Sequence, residues 1–244
     1  MKNEKSKTYN NFDTVVQSNS IIKATHNLTR NELLTFKKLI SMVDTKNANR
    51  KIYFTKAELV EYLFPQIKGK GVDTCNEYYL RAKNYCKKLM DIILEFNTKE
   101  RTTCIAFCSK LTWENYQNLV ELFFTPDIMP YICEMKKNFT TYQIGMIQKI
   151  RSAYATRIYE YCKMHLHKRK WVWVENLNEF KKMLGAEKKY KNRFNQFNVA
   201  ILKKSVTEIN EKTDIAVSYK KLRNGKNIDR IEFTVKKSLN YIPK

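Results

Sequence analysis

The sequence predicts an α+β fold built from two tandem modules of the same plan, preceded by a polar N-terminal arm. Three observations predict it. Apolar residues recur at helical spacing after cap signals, and short β-rich segments separate these helices. The order of elements is the same in both halves of the chain. Gly and Pro are scarce, at 5 and 4 of 244 residues, which favours dense regular structure over low-complexity tails.

The first half begins with a capped helix followed by a short strand. Thr29 and Glu32 form a capping box, in which each side chain can satisfy a backbone N–H at the other residue. Apolar residues then recur at helical spacing as far as Val43. Lys51–Phe54 follows as a predicted strand.

A second capping box starts the next helix of the first half. Thr55 and Glu58 supply this signal, and Pro65 with the glycines after it breaks the helix. A long amphipathic helix is predicted over residues 76–96. The half ends in a predicted hairpin with a polar tip, whose strands are residues 103–107 and 119–125.

The second half follows the same order. A helix is predicted over residues 139–165 and a strand over 171–174. Asn176 and Glu179 form the next cap signal, which aligns with the second cap of the first half at one constant offset. The remaining elements are a long helix over 190–210 and two strands over 215–219 and 228–235, joined by a turn.

Helix, short strand, helix, long helix and hairpin is the winged helix-turn-helix plan. Its third helix fits the major groove of DNA, and its hairpin tip touches the backbone beside that groove. Two such modules would meet successive grooves about one helical turn apart. We place the boundary between them near residues 134–139. The predicted division is a flexible arm over 1–20, a first winged helix over 21–137 and a second over 138–244.

The net charge is the composition feature that most restricts the function. Lys and Arg number 46 against 24 Asp and Glu, which gives +22. Such a surplus is typical of proteins that bind a polyanion, with nucleic acid the leading candidate and an anionic membrane surface the second. The alternative is a lysine-rich surface that only maintains solubility. No apolar segment approaches the ~18 residues that span a bilayer, and the polar N-terminus lacks a signal core, so we predict a cytoplasmic protein.

The helix predicted over 190–210 has an apolar and a polar side when it is unrolled at about 100° per residue. Asn and Gln can pair bidentately with adenine, while Arg and Lys favour guanine. A polar side near the amino end of this helix is therefore suited to base edges, and an ordinary solvated face is the alternative. The predicted base-reading residues are Lys189, Asn192, Arg193, Asn195, Gln196 and Lys203.

The corresponding helix of the first half carries fewer bidentate readers and more point charges. We therefore predict that it anchors phosphates, and that base reading is concentrated in the second half. The second wing is also suited to a phosphate or minor-groove contact, and Gly225 supplies the positive φ that its turn requires. The predicted phosphate and wing contacts are Asn76, Lys83, Lys87, Arg223, Asn224 and Lys226.

Several stretches of the chain resemble the replication initiator (Rep) proteins of theta-replicating, iteron-containing plasmids. The similarity covers residues 13–238, and its motifs are mostly positions that maintain the fold. The wing departs from the family, because Gly225-Lys226-Asn227 replaces a more usual Gly-Arg-Lys. The resembling stretches are residues 15–22 with Leu28-Thr29-x-x-Glu32, Ser152-Ala153-Tyr154-x-x-Arg157-Ile158-Tyr159-Glu160, and residues 197–215 with Gly225-Lys226 and Ile231-Glu232-Phe233.

The resemblance implies a function that composition alone does not show. Members of the family are tandem winged-helix proteins that bind iterons, the direct repeats of a plasmid origin, and help to open that origin. They often dimerise through the N-terminal module, and the dimers can repress their own promoter. They recruit the host replicative helicase and initiator, and they have no catalytic residues. The resemblance also implies a bacterial location on nucleoid and plasmid DNA, and no cofactor.

Two other functions remain as alternatives. A transcriptional repressor without an initiation role would use the same DNA-binding chemistry. A metal-dependent rolling-circle nickase would use His165 and His167 as ligands for a divalent metal, with a helical tyrosine as the nucleophile. However, these histidines end a predicted helix and precede residues 168–170, where cations suit the helix dipole without any metal. We therefore predict no metal site and no enzymatic activity.

Two smaller patterns have ordinary structural explanations. Cys104 and Cys108 could begin a zinc site, but no second pair with ligand spacing follows. Their even separation would place two small thiols on one buried strand face. Trp171 and Trp173 are expected to pack between the modules rather than to stack on bases. No Gly-x-x-x-x-Gly-Lys-Ser/Thr segment is present, so we expect no ATP-binding P-loop.

Overall fold

Two winged-helix modules follow one another in the computed structural model, which describes residues 14–45, 49–67, 72–98, 100–133, 135–191 and 193–238. The predicted α+β tandem fold is therefore confirmed. The elements of the first part are β1 (Thr14–Ser18), α1 (Asn19–Lys23), α2 (Arg30–Ser41), β2 (Lys51–Phe54), α3 (Lys56–Leu63), α4 (Val72–Met90), β3 (Ile93–Asn97), β4 (Thr102–Ala106), β5 (Cys108–Trp113), β6 (Val120–Phe124) and α5 (Met129–Ile132).

The second part contains the elements of the second winged helix and the segment that joins it to the first. A π-helical segment, Asn198–Lys203, lies within its long helix. The elements are β7 (Phe139–Gln143), α6 (Ile144–Gln148), α7 (Ala153–His167), β8 (Val172–Asn176), α8 (Leu177–Met183), α9 (Phe194–Phe197), α10 (Lys204–Lys212), β9 (Ile215–Asn224) and β10 (Asn227–Lys237).

Each module pairs its short strand with its wing. In the first, the antiparallel sheet has the order β2-β6-β5, and α4 is the third helix. In the second, the order is β8-β10-β9, and the α9–α10 helix is the third helix. Buried apolar side chains form one continuous core that includes residues of both modules.

The cap signals form as the sequence predicts. The Glu32 carboxylate accepts a hydrogen bond from the Thr29 N–H at 2.8 Å. Glu58 does the same for the Thr55 N–H at 2.8 Å, and the Glu58 N–H donates to the Thr55 hydroxyl at 3.1 Å. The Asn176 side chain accepts hydrogen bonds from two N–H groups in the first turn of α8. These caps satisfy donors that the helix itself cannot, which explains why α2, α3 and α8 begin where they do.

The prediction of a flexible arm over residues 1–20 is wrong for residues 14–20. Residues 14–18 form β1, which pairs antiparallel with β7, and residues 19–23 form α1. Val15 and Gln17 are completely buried, so this polar segment is part of the interior. Residues 1–13 lie outside the described residues.

The boundary predicted near residues 134–139 does not separate the two modules. It lies between β1 and its pairing partner β7, because Thr14 faces Gln143 and Ser18 faces Phe139 across the ladder. Helix α7 then contacts α1 of the first part as well as α10 of the second. The chain passes from one module to the other through shared elements instead of a linker.

The long helix of the first module ends at Met90, whereas the prediction extended it to residue 96. The residues that follow form β3, which pairs with β4 through Ile93 opposite Ala106 and Asn97 opposite Thr102. The prediction that residues 103–107 form a strand of the wing is therefore wrong. The wing strand that pairs with β6 is β5. The apolar and aromatic residues of β3 suit both a helix and a strand, and the pairing with β4 decides between them.

Two predicted helices of the second half also begin later than the sequence suggests. The segment predicted as helix over 139–165 starts with β7, because these residues complete the ladder with β1, and it continues as α6 and α7. The helix predicted from residue 190 starts at Phe194. Among the helices that the structure describes, none combines the length and the apolar composition of a membrane span.

The predictions for the cysteines and tryptophans are also wrong in part. Cys104 is exposed on β4, whereas Cys108 is buried on β5, so the two thiols do not share one face of a strand. Trp173 packs inside the second module, where its ring stacks on Phe233 with centroids 5.4 Å apart. Trp171 is 49% exposed.

Candidate nucleic-acid interface

The helical segment over residues 194–212 has the apolar and polar sides that the sequence predicts. Phe197, Ile201 and Ile209 are buried in the core. Asn192 lies outside the described residues. The other predicted base-reading residues are all exposed: Lys189, Arg193, Asn195, Gln196 and Lys203.

A buried lysine fixes the start of this helix. Lys181, only 2% exposed, donates hydrogen bonds to the carbonyl oxygens of Tyr190 at 2.8 Å and Lys191 at 3.3 Å. Its ammonium also lies 5.4 Å from the ring centroid of Phe197, and burial lowers the pKa of Lys181. The segment just before Arg193 is thus attached to α8, which holds the exposed side chains of the helix start in a defined place.

A basic groove separates the start of this helix from the second wing. Its volume is about 480 Å³. Gly225 at the wing tip has φ +59°, so the predicted positive φ is confirmed. Arg223, Asn224 and Lys226 are exposed around this turn. The groove is lined by Arg193, Phe194, Asn195, Gln196, Arg223, Lys226, Asn227 and Ile228.

Helix α4 presents the corresponding surface of the first module. Asn76 and Lys87 are exposed, and Lys83 is half-buried. Arg81 is also exposed on α4. Its guanidinium forms an ion pair at 2.5 Å with the carboxylate of Glu77, one turn earlier in the helix. The three predicted phosphate contacts therefore lie on the solvent side of α4, with Lys87 more accessible than Lys83.

Three further residues on these helices escaped the sequence analysis. Leu80 is 62% exposed and lies on the same face of α4 as the exposed Asn84. Val199 is 58% exposed within the π-helical segment. An exposed apolar side chain on such a helix can contact the methyl group of thymine, and Asn can pair with adenine. Unrolling α4 would have found Leu80 and Asn84, whereas the π-helical segment shifts the spacing around Val199.

The segment between α6 and α7 is held by both modules. Arg30 of α2 donates hydrogen bonds to the carbonyl oxygens of Gln148 and Ile150, both at 2.9 Å. Glu208 of α10 accepts hydrogen bonds from the N–H groups of Arg151 at 2.7 Å and Ser152 at 3.3 Å. Burial alone would raise the pKa of Glu208, but hydrogen bonds from Lys212 and from this backbone lower it. The carboxylate therefore stays charged and ties the second module to the segment that Arg30 ties to the first.

A basic cavity lies at this junction, close to α4. Its volume is about 470 Å³. Burial lowers the pKa of Arg30, which lies half-buried at its wall. Such a concentration of cations attracts phosphate groups. The basic residues of the lining are Arg30, Arg81, Lys149 and Arg151.

The two histidines of the nickase alternative do not converge on one site. The ring of His165 stacks on Trp173, with centroids 3.9 Å apart and planes 4° apart, and neither ring nitrogen has a hydrogen-bond partner from any residue that the structure describes. His167 is exposed, and its Nε2 lies 3.3 Å from the Thr141 hydroxyl. No cluster of three His, Cys, Asp or Glu side chains suited to a metal occurs among the described residues. His165 therefore acts as an aromatic core residue in this structure.

The buried histidines make the stability of the fold sensitive to acid. Burial and then Lys168, Lys23 and Lys170 lower the pKa of His165 from 6.5 to about 3, and burial also lowers the pKa of His26. Because the unfolded chain binds these protons below pH 6.5 and the folded chain does not, stability is complete above that pH and decreases as the pH falls toward 3. For His165 we expect a loss of up to about 1.4 kcal/mol per pH unit below pH 6.5, and His26 should add to the loss in the same direction.

Equilibrium unfolding in urea between about pH 7 and about pH 5 measures this dependence. A His165→Phe variant keeps an aromatic ring on Trp173 but cannot titrate, so its stability should change with pH by about one proton less than that of the wild type. Equal pH dependence in the two proteins would contradict the assignment of a neutral, buried His165.

Family models match both parts of the chain. The model described as "Initiator Replication protein, WH1" matches residues 14–163, and the model described as "Initiator Rep protein, WH2" matches residues 176–235. The gap between these matches, residues 164–175, contains the last turn of α7 and nearly all of β8. The first match therefore extends past the predicted boundary through β7 and most of α7, and α7 itself contacts β7 and α1 as well as α10.

Individual relatives are more distant. The chain is 29% identical over 130 residues to a "Replication initiation protein" of Escherichia coli, in a match that spans 50% of this chain and 40% of the relative. It is also similar to the solved structure titled "Crystal structure of Pi initiator protein in complex with iteron DNA", with a TM-score of 0.74 and 17% identity. That match covers 95% of this chain and 100% of the other.

Proposed function

The chain belongs to the family of initiator replication proteins, and from this premise we propose that it binds the direct repeats of a plasmid origin and initiates replication there. One observation carries the proposal. Two winged helices expose their third helices, and Arg30 and Glu208 hold the segment between them in a fixed place. A fixed pair of DNA-contacting helices suits repeats that recur in one orientation, since each repeat presents successive grooves with the same spacing. Bound protein would then assist local melting of the duplex.

We propose that the two modules divide the recognition of this DNA. The exposed start of the helix over residues 194–212 reads base edges next to the groove at the second wing, and we assign Asn192 to the same set of base-reading residues. Asn76, Lys83 and Lys87 on α4 hold phosphates, as do Arg223, Asn224 and Lys226 on the wing. The basic cavity, which is lined by residues of α4 and of the segment between the modules, would hold phosphates of the backbone between two grooves. Phosphate contacts of this kind set the register, and base contacts set the specificity.

The family also suggests partners beyond DNA. We propose that the protein recruits the host replicative helicase and initiator, and that it forms a homodimer through its first module. It acts without a catalytic residue or cofactor of its own, in the bacterial cytoplasm on nucleoid and plasmid DNA. The second candidate function is that of a transcriptional repressor without an initiation role, which would use the same DNA-binding surface.

A titration against duplex DNA from the protein's own replicon tests the proposal. Gel shift and footprinting, with a scrambled duplex as competitor, would show whether binding is specific. We expect discrete protection of direct repeats on one face of the helix, repeating every one to two turns, or about 10–21 base pairs. Diffuse protection that scrambled DNA removes equally well would refute binding to repeats.

The anchoring role of α4 makes a separate prediction. Replacing Lys83 and Lys87 with Ala should weaken binding to cognate and scrambled duplexes by the same factor. The slope of log affinity against log salt should become shallower by about 0.9 for each phosphate that the variant no longer neutralises. Fluorescence anisotropy at several salt concentrations measures both quantities.

The Asn84→Ala variant is a matched control, because Asn84 is exposed on the same helix and carries no charge. It should leave the salt slope unchanged. A loss confined to the cognate duplex in the double lysine variant would place base reading, instead of phosphate anchoring, on α4.

A further inference from the structure

Strand β8 leaves one edge of the second sheet without a neighbour in the described part of the chain. The sheet order is β8-β10-β9, so β8 pairs with β10 on one side only. Val172 and Val174 project from its outer face and are 53% and 46% exposed, and Trp171 just before it is 49% exposed. Folded proteins usually protect such an edge with charges, Pro or a bulge, because unpaired N–H and C=O groups attract other strands. This edge carries apolar residues in their place.

Strand pairing and the packing of Trp173 hold this edge strand in its extended conformation. Trp173 points inward between His165 and Phe233, with ring centroids 3.9 Å and 5.4 Å away. The Val235 N–H donates to the Trp171 carbonyl oxygen at 2.8 Å, which extends the pairing with β10 beyond the strand itself. A preformed strand loses little conformational entropy when another strand adds to it.

Cations surround the end of the edge where Trp171 lies. Lys168, Arg169 and Lys170 precede it on the chain, and Lys23 of α1 lies near enough to act on Lys168. Burial, Lys23 and Lys170 together lower the pKa of Lys168, so the charged groups that act on it are cations. Glu175 is the acidic residue of β8. Its carboxylate accepts a hydrogen bond from the Tyr161 hydroxyl on the inner face of the sheet, opposite the face that carries Val172 and Val174.

This surface lies away from the proposed DNA contacts. Val172 pairs with Thr234 of β10, whereas the wing tip that lines the groove is at the other end of that strand, from Asn227. The two positions are seven residues apart, or roughly 23 Å along a strand. A duplex bound at the groove would leave the β8 edge accessible.

We propose that the β8 edge binds an extended acidic segment of a partner protein, which adds as a further strand to the sheet. Its backbone would pair with β8, its alternate apolar side chains would cover Val172 and Val174, and its Asp or Glu residues would lie beside Lys168 and Lys170. Main-chain hydrogen bonds supply affinity in this mode of recognition, and alternate side chains supply specificity. An acidic partner fits better than a second copy, because the chain carries a net charge of +22.

Fluorescence anisotropy with three labelled ten-residue peptides tests the proposal on the full chain. The first alternates Val and Thr and has Glu residues at both ends. The second has Lys in place of Glu. The third is the acidic peptide with N-methyl groups on alternate residues, which block strand pairing. We expect the acidic peptide to bind, and the other two to bind at least about tenfold more weakly.

Two charge-reversal variants locate the site. The Lys168→Glu/Lys170→Glu variant should bind the acidic peptide at least about tenfold more weakly than the wild type, and it should bind the Lys peptide more tightly. Lys110→Glu/Arg101→Glu changes the net charge equally, at exposed positions of the first module, and should leave the acidic peptide bound. Circular dichroism on both variants confirms that they fold, since cations at the end of α7 also suit its dipole.

Four results would overturn the proposal. Equal weakening by the two charge-reversal variants would show a non-specific attraction to the basic chain. Full binding of the N-methylated peptide would exclude strand addition. Displacement of the peptide by a single-stranded oligothymidine would make this a nucleic-acid surface. A wild-type dimer in sedimentation that a Val174→Arg change dissociates would make it an interface between copies.

Discussion

Replacing Lys37 with Met should lower the free energy of unfolding by about 3–5 kcal/mol, because it leaves a buried carboxylate without its cation. The Lys37 ammonium lies 2.8 Å from the Glu160 carboxylate and 2.7 Å from the Gln17 side-chain oxygen. Gln17 and Tyr142 donate further hydrogen bonds to the same oxygen of Glu160. The side chains of Lys37 and Glu160 are 1% and 3% exposed, so water cannot replace the missing cation.

This cluster is the polar centre of the first module. Its four residues come from β1, α2, β7 and α7, so one ion pair fixes the position of four elements. Burial lowers the pKa of Lys37, and Glu160 opposes that effect. Burial raises the pKa of Tyr142, which therefore remains a hydrogen-bond donor at neutral pH.

A second variant distinguishes an unpaired charge from a simple loss of packing. Lys37→Met/Glu160→Gln removes both charges but keeps an amide that Tyr142 and Gln17 can still reach. It should recover more than half of the stability that the single variant loses, as measured by denaturant unfolding monitored by circular dichroism. No recovery in the double variant would show that Lys37 stabilises the fold through packing alone.

The elements that the sequence predicts well are those whose signals are local. Thr29 with Glu32, and Thr55 with Glu58, satisfy backbone groups within one helical turn, so the starts of α2 and α3 need no tertiary information. The exposed side of the helix over residues 194–212 is equally local, since the helical periodicity turns Phe197 and Ile201 toward the core and leaves Gln196 on the exposed side.

The elements that it misses depend on distant partners. Gln17 belongs to a polar segment, and only Lys37 and Glu160, which are 20 and 143 residues away, make it a core residue. The residues of β3 continue the apolar pattern of α4, and they form a strand instead of a helix because they pair with β4. The path between the modules was missed for the same reason, because the β1–β7 ladder joins segments far apart in the sequence.

Changing Gln196 to Ala should reduce discrimination between cognate and scrambled duplexes by about 1–3 kcal/mol, the value of one bidentate base contact. Gln196 is exposed at the first turn of the helix over residues 194–212, and it lines the groove beside the second wing. Its side chain carries no charge, so the change should not alter the salt dependence of binding. As an exposed residue, it should affect the free energy of unfolding by less than about 0.5 kcal/mol. Competition binding, read by anisotropy, measures the discrimination.

Arg223→Ala/Lys226→Ala is the matched control, because these residues line the opposite wall of the same groove. If they hold phosphates, both duplexes should lose affinity by a common factor, and the salt slope should become shallower by about 1.8, or 0.9 per phosphate. We thus expect a selective loss of affinity from one wall of the groove and a uniform loss from the other. A uniform loss for Gln196→Ala, or a selective loss for the wing variant, would reverse the roles of the two walls. Unchanged binding in both would remove this groove from the DNA interface, while binding of DNA by α4 would still hold.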